Sequence, residues 1–113
     1  MTSGSSPYIV GLGGTVRPGS SSERALIKAL DAAEAAGARI ELFGGAFLAG
    51  LPIYNPHLPA CEGESARFLE SVRRADGVIV ASPAYHGSIS GLVKNALDVL
   101  EGLREDAVEL GVA

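Results

Sequence analysis

Apolar positions come in short blocks, parted by glycine, proline and serine. Residues 8–12, Tyr-Ile-Val-Gly-Leu, make a run of strand length that ends in glycines. Residues 23–36 have a different period. Ala25, Leu26, Ala29, Leu30 and Ala33 share one helical face, and Gly37 stands where a helix C-terminus is capped. Residues 39–43 alternate and predict a second strand, ended by Gly44 and Gly45. The stretch 46–63 carries Pro52, Pro56 and Pro59 and no period, so it predicts a long irregular loop, a feature often tied to function. A second helix is predicted over 64–75, with Phe68, Leu69 and Val72 on one side. Residues 77–82, Gly-Val-Ile-Val-Ala-Ser, are apolar enough to predict a strand buried on both faces. A turn-rich loop leads to Gly91. A third helix starts near Leu92, with Leu92, Val93, Ala96, Leu97 and Leu100 on its face and a weaker continuation through Leu103, Ala107 and Leu110.

Strand and helix alternate three times. That order implies right-handed crossovers and a parallel sheet covered by helices on both faces, an α/β fold of the nucleotide-binding kind. With 113 residues and no internal repeat, one domain over 1–113 is expected, with a Ser/Gly-rich flexible lead over 1–7 and a helical tail over 104–113. The formal charge of −4, with nine scattered Lys and Arg, argues against a nucleic-acid partner, which needs a clustered basic face. No apolar run reaches membrane-spanning length. The single cysteine, Cys61, cannot form an internal disulfide, so a cytoplasmic setting is expected.

The loop between the first strand and first helix has the chemistry of a phosphate cradle. Gly11, Gly13, Gly14 and Gly19 let backbone N–H groups approach an anion. Thr15, Ser20, Ser21 and Ser22 add hydroxyls, Arg17 adds a charged fork, and the helix start adds unpaired donors. The dinucleotide fingerprint fails, because Val16 falls at its third glycine position. The P-loop fails for lack of a lysine. Ser20-x-x-Glu23 also reads as a capping box, and a capped helix start can still be the anion site.

Residues 14–22, Gly-Thr-Val-Arg-Pro-Gly-Ser-Ser-Ser, resemble the Gly-Ser-x-Arg-x-x-Ser-x-Asn phosphate loop of NADPH-dependent FMN reductases. Residues 82–98, from Ser82-Pro83-Ala84-Tyr85 to Leu97-Asp98, are similar to that family's Ser-Pro-Glu-Tyr-x-x-Ser-x-x-Gly-x-Leu-Lys-Asn-x-x-Asp segment. Leu51-Pro52-Ile53-Tyr54-Asn55 looks like its loop after strand two, so the resemblance runs from about residue 8 to 103. It implies a flavodoxin-like, doubly wound, three-layer α/β/α sheet with FMN at the carboxyl ends of strands one and three. As the sequence ends at Ala113, it also implies a sheet truncated to strands 2-1-3. On that carry-over Thr15, Arg17, Ser20 and Ser22 hold the FMN phosphate. Pro83, Ala84, Tyr85, His86, Gly87 and Ser88 form the wall beside the ring, where N–H groups favour the charge that reduced flavin gathers. Ser22 replaces the family's usual Asn and Ala84 its frequent Glu.

The implied activity moves a hydride from NADPH or NADH to FMN and on to a flavin, quinone or azo acceptor. No catalytic side chain is required. The alternative is a non-catalytic FMN-binding or assembly module, with a flavodoxin-type electron carrier ranked below it. No His/Cys/Asp/Glu cluster has metal-ligand spacing, and no serine nucleophile elbow is present. Cys61 has no neighbouring histidine or basic partner, which argues against a nucleophile. His86 reads either as a flavin contact or as polar surface, and His57 as solvated. Tyr54 and Tyr85 read as a flat ligand's lining or as ordinary bonded tyrosines. Glu101, Arg104, Glu105, Asp106 and Glu109 read as a solvated helix face. A strand three without a neighbour would leave its edge open, so a homo-oligomer, most simply a two-fold dimer, is expected.

Overall fold

The protein's computed structural model describes residues 5–58 and 63–104. In chain order the elements are β1 (Tyr8–Gly13), α1 (Ser21–Ala35), β2 (Arg39–Phe43), α2 (Gly45–Ala49), α3 (Glu64–Arg74), β3 (Gly77–Ala81) and α4 (Gly91–Val99), which tightens into a 3-10 turn at Leu100–Leu103. The three strands are parallel in the order β2-β1-β3. This is the parallel α/β arrangement expected from the alternation, in the flavodoxin-like order that the resemblance implies. Cys61 and Pro59 lie outside the described residues, as do Glu105, Asp106, Ala107, Glu109 and Leu110 of the expected helical tail.

Register sorts the sheet into two faces. Val10 pairs with Glu41 and Val78, and Leu12 with Phe43 and Val80. That face meets α3 and α4 in a core of Val10, Leu12, Phe43, Phe68, Leu69, Val93, Ala96 and Val99. On the other face β1 presents Gly11 and Gly13. A Cβ at Gly11 would stand 2.7 Å from Leu30 Cδ1, and one at Gly13 would stand 2.8 Å from Leu26 Cδ2. Helix α1 therefore lies directly on the β1 backbone and buries Leu26 and Leu30 there. The helix ends as expected at Gly37, whose φ is +107°. Ala38 N–H reaches Ala33 O and Gly37 N–H reaches Glu34 O, each at 3.0 Å, the paired bonds of a Schellman cap.

Three expectations change. The stretch 46–63 is not wholly irregular, because α2 forms at its start. Five residues are too few to show a period. The helix exists because Phe47 packs on Phe43 (ring centroids 4.7 Å apart) and Leu48 is buried. Strand β3 is not buried on both faces: Val78 is 42 % and Val80 45 % exposed. Among the described residues it pairs only with β1, so half its surroundings are solvent. Glu23 does not return the capping-box bond to Ser20. Its carboxylate instead accepts the N–H of Gly45 at 3.2 Å. Gly102 has a packing reason, since a Cβ there would stand 3.0 Å from Leu69 Cδ1 on α3.

Glu41 is an acidic residue on the core-side face of β2. Tyr8 Oη donates to it, as do Ser71 Oγ at 3.0 Å and Arg67 Nη1 at 2.9 Å. Burial pushes its carboxyl up, but these three donors together outweigh burial and hold it below the ordinary glutamate value. Burial first, and the bond to Glu41 second, push the Tyr8 phenol up.

Candidate functional site

The loops after β1 and β3 leave the same end of the sheet and lock together. The Gly13–Gly14 peptide is cis. A Cβ at Gly14 would stand 2.6 Å from Ala81 O and 3.3 Å from both Pro83 Cδ and Ser22 Oγ. Both loops therefore close on a backbone with no side chain. Ser90 joins them: its Oγ donates to Gly14 O at 2.6 Å and accepts Val93 N–H at 3.3 Å as the cap of α4. The Ser90 N–H in turn donates to Ser82 Oγ at 2.8 Å.

On the first loop, the Thr15 hydroxyl accepts Arg17 N–H at 3.3 Å and the Tyr85 phenol at 3.3 Å. Ser20 is buried and caps α1, its Oγ accepting Glu23 N–H at 3.2 Å and lying 3.4 Å from Ser22 Oγ. The N–H groups of Ser21 and Ser22 begin the helix, where no intrahelical acceptor exists. Arg17 is exposed, and its guanidinium has no ion-pair or hydrogen-bond partner among the described residues. Gly19 has φ +69°, with nothing near its missing Cβ. Free donors, a free guanidinium and hydroxyls at a helix start suit a phosphate monoester.

On the second loop, Gly87 N–H donates to Ala84 O at 3.2 Å and Ser88 N–H to Tyr85 O at 2.9 Å. His86 (φ 51°) and Gly87 (φ 78°) are both left-handed, the signature of a type I′ turn. Holding a histidine in that region costs about 1 kcal/mol. Tyr85 and Ser88 form an antiparallel bridge, and the N–H groups of Ala84 and His86 donate to no described group. These two N–H groups form a short row of donors at an exposed rim, as a ring with carbonyl acceptors requires.

The structure thus brings Thr15 into contact with Tyr85, and Ser22 and Pro83 onto Gly14. Ala84, His86, Gly87 and Ser88 stand exposed on the turn, and Arg17 stands exposed on its own loop. Tyr85 is 53 % exposed, which fits a flat ligand's lining better than a buried tyrosine. His57 is exposed, as expected.

Beside this meeting point lies a cavity of about 460 Å³, walled by Val16, Leu48, Leu51, Ile53 and Leu92, with Thr15, Tyr85, Ser90 and Asn95 as polar members. Sequence reasoning named Thr15 and Tyr85 but missed Ser90 and Asn95. Asn95 Nδ2 donates to Pro52 O at 3.0 Å and Oδ1 accepts Tyr54 N–H at 2.8 Å, so one amide ties the loop after α2 to α4. The available signal was a polar residue set between Leu92, Val93 and Ala96. Among the described residues no group of His, Cys, Asp and Glu could hold a metal ion, and no helix is long and apolar enough to cross a membrane.

Comparison with known proteins bears on this geometry. The profile of the NADPH-dependent FMN reductase family matches residues 7–108. An NAD(P)H-dependent FMN reductase of Pseudomonas aeruginosa is 37 % identical over 92 residues, covering 80 % of this chain and 48 % of the relative. An NADPH azoreductase of a Bacillus species is 41 % identical over 51 residues, 44 % of this chain and 29 % of the relative. A quinone reductase of Escherichia coli is 37 % identical over 59 residues, 50 % of this chain and 31 % of the relative. The chain spans about half the length, or less, of these relatives.

Proposed function

Because the chain belongs to the NADPH-dependent FMN reductase family, we propose that it binds FMN across its two joined loops and acts as an FMN-dependent NAD(P)H oxidoreductase. The observation that carries this reading is the Thr15–Tyr85 contact, at 3.3 Å, with unpaired donors on either side of it. Arg17, Thr15, Ser22 and the first N–H groups of α1 face the FMN phosphate. Ser20 acts chiefly by capping that helix, so its part is to fix the donors rather than to supply the main one. Pro83, Ala84, Tyr85, His86, Gly87 and Ser88 form the wall for the ring, and the N–H groups of Ala84 and His86 are its donors. When bound, FMN supplies the redox chemistry, taking a hydride from NADPH or NADH and reducing a small flavin, quinone or azo acceptor. The protein's part is binding and orientation, which needs no acid, base or nucleophile.

A second reading is a non-catalytic FMN-binding or assembly module. Strand β3 favours it: Val78 and Val80 stay exposed on a strand that pairs only with β1 among the described residues. The same strand supports self-association into a homodimer. The test is purified protein titrated with FMN, then supplied with NADPH. Flavin fluorescence is expected to quench, NADPH absorbance to fall, and Arg17→Ala to weaken FMN binding by about tenfold or more. FMN binding without NADPH oxidation selects the module, and absence of FMN binding overturns both readings.

A further inference from the structure

We propose that Glu23 and Gly45 are positioning residues that hold the phosphate loop in shape from beneath. The inference rests on the reading that residues 15–22 receive the FMN phosphate.

Gly45 is buried, and its backbone lies against that of Thr15. A Cβ at Gly45 would stand 1.7 Å from Thr15 O, 2.5 Å from Thr15 C and 3.3 Å from Thr15 N. Backbone atoms cannot swing aside as a side-chain tip can, so no other residue fits without moving Thr15. The turn after β2 is thus the floor on which the loop's first hydroxyl residue rests. Glu23 fixes that floor. Its Oε1 accepts Gly45 N–H at 3.2 Å, a donor that has no acceptor within α2.

The same glutamate also belongs to the loop's other end. Its backbone N–H is the group that Ser20 Oγ caps, and Ser22 precedes it. A closed circuit results: Thr15 rests on Gly45, Gly45 is bonded to Glu23, and Glu23 stands in the first turn of the helix at which the loop ends. The donors of residues 15–22 are held at both ends before any anion arrives. Glu23 makes no ion pair among the described residues, so its job here is that of a hydrogen-bond acceptor. An amide oxygen can do the same, without placing a negative charge near the phosphate.

The experiment compares FMN with riboflavin, which has the same ring and no phosphate, by fluorescence quenching on four proteins. The wild type is expected to prefer FMN. Glu23→Gln should keep that preference. Glu23→Ala should weaken FMN binding by about fivefold with riboflavin binding unchanged, the size expected for one lost bond that orders a loop. Gly45→Ala should lower FMN binding by about tenfold or more, again with riboflavin spared. Glu23→Gln and Glu23→Ala test the idea even if Gly45→Ala does not fold. Unaltered FMN preference in Glu23→Ala, or equal loss of both ligands, overturns the positioning role alone. A wild type that does not bind FMN overturns it together with the parent reading.

Discussion

The two outer strands of the described sheet bury their core-side residues to different degrees. On β2, Phe43 is fully buried, because α2 brings Phe47 and α3 brings Phe68 against it. The Phe43 and Phe68 rings meet edge-on at 80° with centroids 5.1 Å apart. On β3, Val78 and Val80 stand in register with the fully buried Val10 and Leu12, yet each is more than two-fifths exposed. Helix α4 accounts for the difference. It buries Val93, Ala96 and Val99 against the middle of the sheet and leaves Leu97 partly exposed. Burial of a strand residue is therefore decided by what stands over its flank, and the strand's own letters do not report it.

Removing the best-packed element of the covered flank should have the largest effect. Phe43→Ala is expected to cost about 3–5 kcal/mol in urea unfolding, enough to unfold much of the protein. A loss under about 1 kcal/mol would show that the aromatic trio is not the flank's support.

A smaller effect lies in the charge on the same strand. The Glu41 carboxyl is held below its ordinary value in the fold, so its contribution is complete above the unfolded glutamate value and is lost as pH falls through the folded one. Tyr8 is raised, so its contribution is complete at neutral pH and is lost only as pH rises through and past the usual tyrosine range. Wild type should exceed Glu41→Gln by about 1–2 kcal/mol at neutral pH. Urea midpoints measured from pH 7 to pH 3 should show that gap closing, and a gap independent of pH would contradict the assignment.

The smallest effect on stability is expected on the open flank. Val80→Lys should change unfolding free energy by no more than about 0.5 kcal/mol. Its consequence should appear in sedimentation at micromolar concentration, where wild type is expected as a dimer and the variant as a monomer. A wild-type monomer would remove the proposed self-association.

Much of this was legible in the pattern of letters. Long-period blocks announced α1, α3 and α4, and glycine-bounded apolar runs announced the strands. Strand order came with the family resemblance. What stayed hidden depended on partners distant in sequence. Residues 45–49 become a helix only when Phe47 finds Phe43 and Phe68. Glu23 looked like half of a capping box, because nothing local tells a carboxylate to prefer Gly45, 22 residues away. In the candidate site, the residues offering hydroxyls and charge were readable from type alone. Ser90 and Asn95 were not, since each acts by holding other backbones in place.

The bond from Ser90 Oγ to Gly14 O spans 76 positions, and the Tyr85–Thr15 contact spans 70. Closing loops of that span is entropically expensive and comes late in a folding chain. During synthesis, then, the first loop leaves the ribosome long before the residues that shape it. Until Tyr85 has emerged Thr15 has no phenol to accept from, and until Ser90 has emerged Gly14 has no hydroxyl. A nascent chain cut anywhere before Ser90 carries residues 14–22 in full and lacks the hydroxyl that ties them to the loop after β3.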